Sequence, residues 1–326
     1  MLDPARAAVR LAVRRYVGAD WGDPTLVACS GGADSLALLS AAVFEAQKAG
    51  RRVVGVVVDH GLQDGSDDHT TRVVEQMAAL GADETASIRV TVDPGGHGIE
   101  AAAREARYAA LAQLAQHFGA TVVLLGHTLD DQAETVLLGL TRGSGGRSLQ
   151  GMRASYRDDS GTVFARPLLG LTRTQTEDAC RADDLTWWED PHNADPRFTR
   201  SRVRHTVLPV LERELGPGIA DALARTGEQL RDDMDFLEPF EDEAYRRAQV
   251  EGGVDLDEVD DVGEAIRSRV VRRAAIAAGA IPSELTRAHV LAVLGLLGTR
   301  GKQVQLPGHV TAYAEGEVLR FRPTAG

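Results

Sequence analysis

Leu26–Leu39 reads LVACSGGADSLALL. The apolar run LVAC breaks on Ser30-Gly31-Gly32, and apolar spacing resumes around Asp34 and Ser35. A short apolar run followed by helical spacing makes SGGADS the hinge between a strand and a helix. Glycine permits φ > 0 and close approach of backbone to a ligand, so successive N–H groups can converge on one anion. The helix that follows adds unpaired amides and the positive end of its dipole. Together these make a phosphate cradle. It is not a Walker A loop, because no lysine stands near it, and it is not GxGxxG. The plain alternative is a tight turn in which Ser30 or Asp34 caps the helix.

Working outward, short apolar, largely β-branched runs recur at Leu26–Cys29, Val53–Asp59, Ile88–Val92 and Thr121–Leu125. Helical spacing lies between and beside them at Ser35–Gln47, Asp68–Leu80 and Glu100–Phe118, and the N-terminal MLDPARAAVRLAVRRYV reads as an amphipathic helix. Alternating strands and helices predict an α/β fold, a doubly wound parallel sheet with helices on both faces. Ligands of such a sheet bind outside the carboxyl ends of its strands. Beyond about Val210 the pattern turns helical and ends in QVQLPGHVTAYAEGEVLRFRP, which alternates as a terminal hairpin or small sheet does. The expected division is a catalytic domain over 1–212 and a smaller, mainly helical domain over 213–326.

Hydrophobic residues make up 43% of the 326-residue chain and charged residues 26%, an ordinary globular balance. No apolar run approaches the roughly 20 residues of a membrane helix, so the expectation is a cytoplasmic protein that does not enter a membrane. Two cysteines, Cys29 and Cys180, exclude a disulfide framework and an all-cysteine zinc site. A net charge of −12 disfavours indiscriminate nucleic-acid binding. One segment runs against that balance: RFTRSRVRH, Arg197 to His205, carries four arginines and no acid.

Further polar clusters stand at the predicted strand ends. LLGHTLDDQAET, 124–135, sets His127, Asp130, Asp131 and Glu134 at the mouth of a helix. Carboxylates so close repel unless a cation, Mg²⁺ or an ammonium group, neutralises them; an acidic first turn favoured by the helix dipole is the bland reading. VVVDHGL ends a strand on Asp59 and His60, where a nucleoside would lie, or where Asp59 caps the next helix. Glu100, Arg104 and Arg107 line one helical face, ordinarily a solvated stripe. In WWEDPHNADPRFTRSRVRHTVLP, 187–209, two tryptophans precede the arginines: a base-stacking and phosphate-binding segment, or core indoles beside a helix surface.

SGGADS resembles the PP-loop of the ATP pyrophosphatases. With VDHGL, EAAAREARY, GHTLDDQAET, TRGSGGRSLQGM, ARPLL and EDPHNADPRFTRSRVRHTVLP in this order, residues 25–210 resemble the tRNA(Ile)-lysidine synthetase family. The resemblance implies that ATP adenylates the wobble cytidine of tRNA(Ile) with anticodon CAU, after which L-lysine displaces AMP. It implies that Ser30, Gly31, Gly32, Ala33 and Ser35 hold ATP phosphates, and that Asp34 and Asp131 lie at Mg²⁺. Asp59 and His60 would face the nucleoside. His127, Asp131 and Glu134 would work at the α-phosphate and at lysine, with Arg107, Arg200 and Arg204 near the reacting phosphate or RNA. Arg142 and Arg147 would belong to a loop covering the site, the helical domain would grip tRNA, and a homodimer is the assembly the resemblance suggests. A tRNA thiolase on the same fold would want a second cysteine close to the first, which Cys29 and Cys180 do not provide. An amide synthetase would leave the arginine cluster without a purpose, and a regulatory nucleotide-binding module would not need GHTLDDQAET.

Overall fold

A computed structural model describes residues 3–59, 61, 66–91, 99–142, 145–190, 194–299 and 301–324, apart from the side chains of 19, 99–101 and 142. The chain divides into two compact units, residues Met1–Thr135 with Met152–Ala224, and Val136–Gly151 with Arg225–Gly326. The second unit thus combines a stretch from Arg225 onward with a segment from the middle of the chain, Val136–Gly151.

The first unit opens with α1 (Pro4–Arg14), which the Asp3 carboxylate caps by accepting from the amides of Ala5 and Arg6. Then follow β1 (Thr25–Ala28), α2 (Ala33–Ala49), β2 (Val53–Asp59), α3 (Ser66–Ala79), β3 (Glu84–Arg89), α4 (Ile99–Phe118), β4 (Val122–Leu124) and α5 (Leu129–Arg142). Past α6 (Gly146–Leu149) come β5 (Ser155–Arg157), β6 (Val163–Ala165), α7 (Arg173–Ala182), α8 (Thr199–Arg202), a π-helical turn Val203–Val207 and α9 (Leu208–Leu215). The sheet order is β3-β2-β1-β4-β6-β5, parallel except for β5, which runs antiparallel to β6. The third strand lies earlier than Ile88–Val92 because residues 84–89 are the ones in register with Val54–Asp59.

Period-two alternation sorts the apolar strand residues to two faces. Val27, Val57 and Leu124 join Leu36 and Leu39 of α2, Val73 and Met77 of α3, and Val9 and Val13 of α1. Leu26, Val54, Val56 and Val123 join Leu111 and Ala115 of α4. β1 sits between β2 and β4, so successive crossovers leave it in opposite directions. That reversal opens a crevice above the carboxyl ends of β1 and β4.

The second unit holds most of α10 (Ile219–Ala248), then β7 (Gln249–Val250), β8 (Gly253–Asp255), α11 (Glu264–Ala277), α12 (Arg287–Leu294), β9 (Gln303–Leu306), β10 (Val310–Glu315) and β11 (Val318–Pro323). Its strands form one five-stranded antiparallel sheet, β7-β8-β11-β10-β9. Helices make up more of this unit than strands, and the small sheet includes the alternating stretch near the C-terminus, as the sequence leads one to expect. Arg147 pairs with buried Glu241, and Arg231 donates to the Gln150 carbonyl at 2.6 Å, fastening segment 136–151 to α10. Arg147 thus has a structural partner, while residues 143–144 and the Arg142 side chain lie outside the described residues.

Candidate active site

Ser30 to Gly32 bend between β1 and α2, and Gly31 takes φ +80°. A Cβ on Gly31 would lie 2.7 Å from Val73 Cγ2 and 3.1 Å from His69 Cε1. Both the dihedral and the space therefore require glycine. α2 starts with no side-chain cap. The Ser35 and Leu36 amides turn back to the Gly32 carbonyl, leaving those of Ala33 and Asp34 as the orphan donors of the first turn. The Ser35 hydroxyl accepts from the Ser30 amide at 3.1 Å and donates to Gly32 O at 2.9 Å. Trp188 N–H donates to Gly31 O at 3.0 Å, while its ring lies 3.9 Å from that of His69, whose Nε2 sits 3.0 Å from Ser30 O. The tryptophan thus braces the outside of the loop. Gly31→Ala is expected to destabilise the first unit by about 1–3 kcal/mol and to raise the KM for ATP; thermal melting and ATP titration of AMP release measure both.

At the end of β4, Gly126 lets the two motifs meet: a Cβ there would stand 3.1 Å from the carbonyl carbon and oxygen of Asp34 and from the Ser35 amide nitrogen. Thr128 stands just ahead of α5, and Asp131 Oδ2 accepts from its amide at 2.8 Å and its hydroxyl at 3.0 Å. Asp131 thus ties the first turn of α5 to the residue ahead of it, a hydrogen-bonding role beside the dipole the plain reading invoked. The other oxygen, Asp131 Oδ1, faces arginines: Arg204 at 3.0 Å and Arg173 at 3.2 Å. Glu134 is wholly enclosed, 0% exposed, with Arg204 at 2.6 and 3.1 Å, Arg200 Nε at 3.5 Å and Arg173 at 3.9 Å. Asp34 accepts from the Thr176 hydroxyl and lies 3.6 Å from Arg173 Nε. The four-residue spacing of Arg200 and Arg204 turns both inward. Arg197 and Arg202 stay outside, bound to Asp195 and to backbone carbonyls.

The cation that neutralises these acids is therefore guanidinium, three times over. Arg173 was not legible as a site residue, though the Thr172–Gln175 capping box that fixes the start of α7 stood in the sequence. Burial works against the charge of Asp131, but Arg173, His127, the Thr128 amide and Arg204 together hold its pKa below the ordinary carboxylate value. For Asp34 burial wins, and despite Arg173 and Thr176 its pKa is pushed up to about 6. Burial also drives His127 far below 6.5, against the pull of Asp131 and with the help of Arg166, Arg107 and Arg104. Its Nδ1 is buried without a partner, and so is Arg107 Nε. Burial thus favours a neutral imidazole at His127, and each of the two side chains keeps one nitrogen without a hydrogen-bond partner among the described residues.

Asp59 does not join this group. It is buried, accepts from the Gly61 amide at 2.8 Å and takes Arg89 Nε and Nη2 at 2.8 and 2.7 Å. Burial opposes its charge, yet these donors keep its pKa low. His60 and the Glu100 side chain lie outside the described residues. Cys29 and Cys180 are buried free thiols, the latter pushed up to about 12 chiefly by burial, so neither is poised as a nucleophile.

Residues 12–211 match the PP-loop domain family. The chain is 48% identical to the tRNA(Ile)-lysidine synthase of Streptomyces coelicolor across 98% of both chains, and 49% identical to that of Thermobifida fusca across 94% of both. The chain belongs to the tRNA(Ile)-lysidine synthase family. Like other members of that family it is a PP-loop, ATP-using ligase. Among solved structures, a U34-tRNA thiolase from Methanococcus maripaludis superposes with a TM-score of 0.57 over 69% of this chain and 79% of its own, at 17% identity. That likeness concerns the fold alone. No helix among the described residues is long and apolar enough to cross a membrane.

Proposed function

We propose that the chain ligates L-lysine to C2 of the wobble cytidine of a tRNA(Ile) with anticodon CAU. ATP first adenylates the C2 carbonyl oxygen, releasing pyrophosphate; the ε-amine of lysine then attacks C2 and AMP departs. A carbonyl oxygen leaves poorly and AMP leaves well, and fixed positive groups stabilise phosphate charge in transit. The observation that carries this reading is the meeting of the uncapped start of α2 with a carboxylate–arginine cluster across Gly126. A phosphate cradle and a charged reaction centre then share one crevice.

The loop amides with Ser30 and Ser35 are assigned to the triphosphate. Among the described residues no three His, Cys, Asp or Glu side chains are arranged to hold a metal unaided. Mg²⁺ is usually held by one or two carboxylates and completed by substrate phosphates. Asp34 and Asp131 are the carboxylates that fit, and the ion would neutralise charge on the phosphates. Arg107, Arg200 and Arg204 are assigned to the α-phosphate and the RNA. Glu134, enclosed and already bonded to Arg204, is assigned to fixing the arginines. Lysine's ε-amine, ordinarily near pKa 10.4, must lose a proton before attack. A nearby carboxylate of the cluster or His127, whose burial favours the neutral ring, is assigned to take that proton.

Residues 211–326 hold 14 basic and 21 acidic side chains. If this part grips tRNA, it does so through few phosphate contacts and through shape. The reaction is tested by incubating the protein with ATP, Mg²⁺ and L-lysine, with and without a CAU-bearing tRNA(Ile) transcript. AMP and pyrophosphate are expected only when the tRNA is present, and digestion of the RNA should yield one nucleoside heavier by a lysyl group. AMP formation independent of tRNA would sink the assignment.

A further inference from the structure

Arg173 raises a question of charge. Its Nη2 lies 3.2 Å from Asp131 Oδ1, its Nε 3.6 Å from Asp34 and its Nη1 3.9 Å from Glu134. Asp34 and Asp131 are the pair assigned above to Mg²⁺, so one pair of carboxylates is claimed by a guanidinium and by a divalent ion. Like charges at such range repel strongly in a partly buried site. One of the two cations has to give way.

The cluster is balanced as it stands, with Asp34, Asp131 and Glu134 facing Arg173, Arg200 and Arg204. A bare metal ion arriving there meets the arginines, and a bare triphosphate meets the carboxylates. Metal and nucleotide arriving together satisfy both sides, because guanidinium forks suit phosphate oxygens and the ion suits carboxylate and phosphate oxygens. The arginines differ in how free they are to change partners. Arg204 grips Glu134 with bonds of 2.6 and 3.1 Å and Asp131 with another of 3.0 Å. Among the described residues the Arg173 side chain makes one hydrogen bond, at 3.2 Å to Asp131, and its approaches to Asp34 and Glu134 exceed hydrogen-bond length. Its backbone, in contrast, is anchored: the amide donates to Asp130 at 2.7 Å, and the Thr172–Gln175 capping box fixes the turn. A fixed Cα carries a lightly held guanidinium within ion-pair range of the acid of the phosphate loop.

We propose, resting on the function given above, that Arg173 is a positioning residue that makes metal binding conditional on ATP. With no nucleotide bound it neutralises Asp34 and Asp131. When ATP arrives its guanidinium passes to the triphosphate, which withdraws its charge from Asp34 and from Asp131, the latter still held by Arg204 at 3.0 Å, and lets the divalent ion approach both.

Mn²⁺ titrated into the full chain without nucleotide, with free Mn²⁺ followed by electron paramagnetic resonance, tests the first half. Arg173→Gln is expected to bind Mn²⁺ about 10-fold more tightly than the wild type, with Arg173→Lys between them. For the second half, Arg173→Gln should raise the KM for ATP by roughly 10-fold with a smaller change in kcat. Equal Mn²⁺ affinity in wild type and Arg173→Gln overturns the proposal, and so does an unchanged KM for ATP. Should the glutamine variant not fold, Arg173→Lys decides alone: no gain in Mn²⁺ affinity over the wild type overturns the proposal. The underlying function fails in a different place, as an absence of tRNA-dependent AMP formation by the wild-type enzyme, whatever the Mn²⁺ titrations give.

Discussion

Asp34→Asn is expected to cut AMP release by on the order of 10³-fold while making the empty protein more stable at pH 8. The activity loss follows from removing a carboxylate placed beside the phosphate loop. The stability gain follows from the pKa of Asp34, raised from 3.8 to about 6 because burial penalises its charge more than Arg173 and Thr176 relieve it. A carboxyl whose pKa is higher folded than unfolded favours the fold when protonated. That contribution is complete below pH 3.8 and is lost as pH rises through about 6. At pH 8 the wild type therefore bears a penalty of up to about 3 kcal/mol that an asparagine does not. Asparagine keeps an oxygen to accept from Thr176 but loses the attraction of Arg173, so the gain is an upper bound. Thermal melting of both proteins from pH 4 to pH 8 should show curves that diverge between pH 4 and 6 and then run parallel. An asparagine variant that melts lower than the wild type at pH 8, or that still releases AMP at a normal rate, contradicts the assignment.

The link between instability and activity at Asp34 is of a general kind, since groups held at unfavourable protonation states concentrate where they are used. Here the cause is local and nameable. Gly126 draws the end of β4 onto the first turn of α2, which shields Asp34 from water, and Thr176 and Arg173 of α7 close over it. A binding cation would reverse the balance by favouring the charged form.

How much of this could be read in the chain depended on how local the cause was. SGGADS was legible because a positive φ, a missing cap and a strand-to-helix bend are all decided within six neighbouring residues. Val53–Asp59 was legible because a strand buried on both faces shows as an unbroken apolar run. β5 and β6 were not, since three residues each are too few to display a period. The same brevity hid β7 and β8, of two and three residues, whereas the alternation of QVQLPGHVTAYAEGEVLRFRP did announce β9, β10 and β11, the rest of the C-terminal sheet. Arg173 was not legible either. Its partner Asp131 is 42 positions away, and its neighbour Thr176 meets Asp34 across 142. An arginine at the head of a helix looks the same whether it faces solvent or a triad of acids. Asp59 shows the same limit: a strand-end aspartate does not announce that Arg89, 30 positions away, and the Gly61 amide hold its carboxylate.

Glu134→Ala tests whether this enclosed carboxylate binds lysine or anchors the arginines, since the two roles leave different traces. Its oxygens take two bonds from Arg204 and lie 3.5 Å from Arg200 and 3.9 Å from Arg173, with no exposure to solvent. Removing one member of a buried ionic group strands the others, at a cost of about 3–5 kcal/mol. For a unit of this size that corresponds to a fall in Tm of roughly 10 °C. Glu134→Gln keeps the shape and one acceptor, so it should lose less stability while still slackening the grip on Arg204. An anchor that slackens leaves the arginines misplaced at the phosphate, so kcat falls with the KM for lysine little changed. A lysine-binding carboxylate would behave otherwise, with a KM for lysine raised many-fold and a Tm close to that of the wild type. Thermal melting beside lysine titrations of Glu134→Gln therefore decides the role. The expected pattern is a lowered Tm, a lowered kcat and an unaltered KM for lysine, because an acid that already holds one guanidinium and lies between two more has no free oxygen to offer an ammonium.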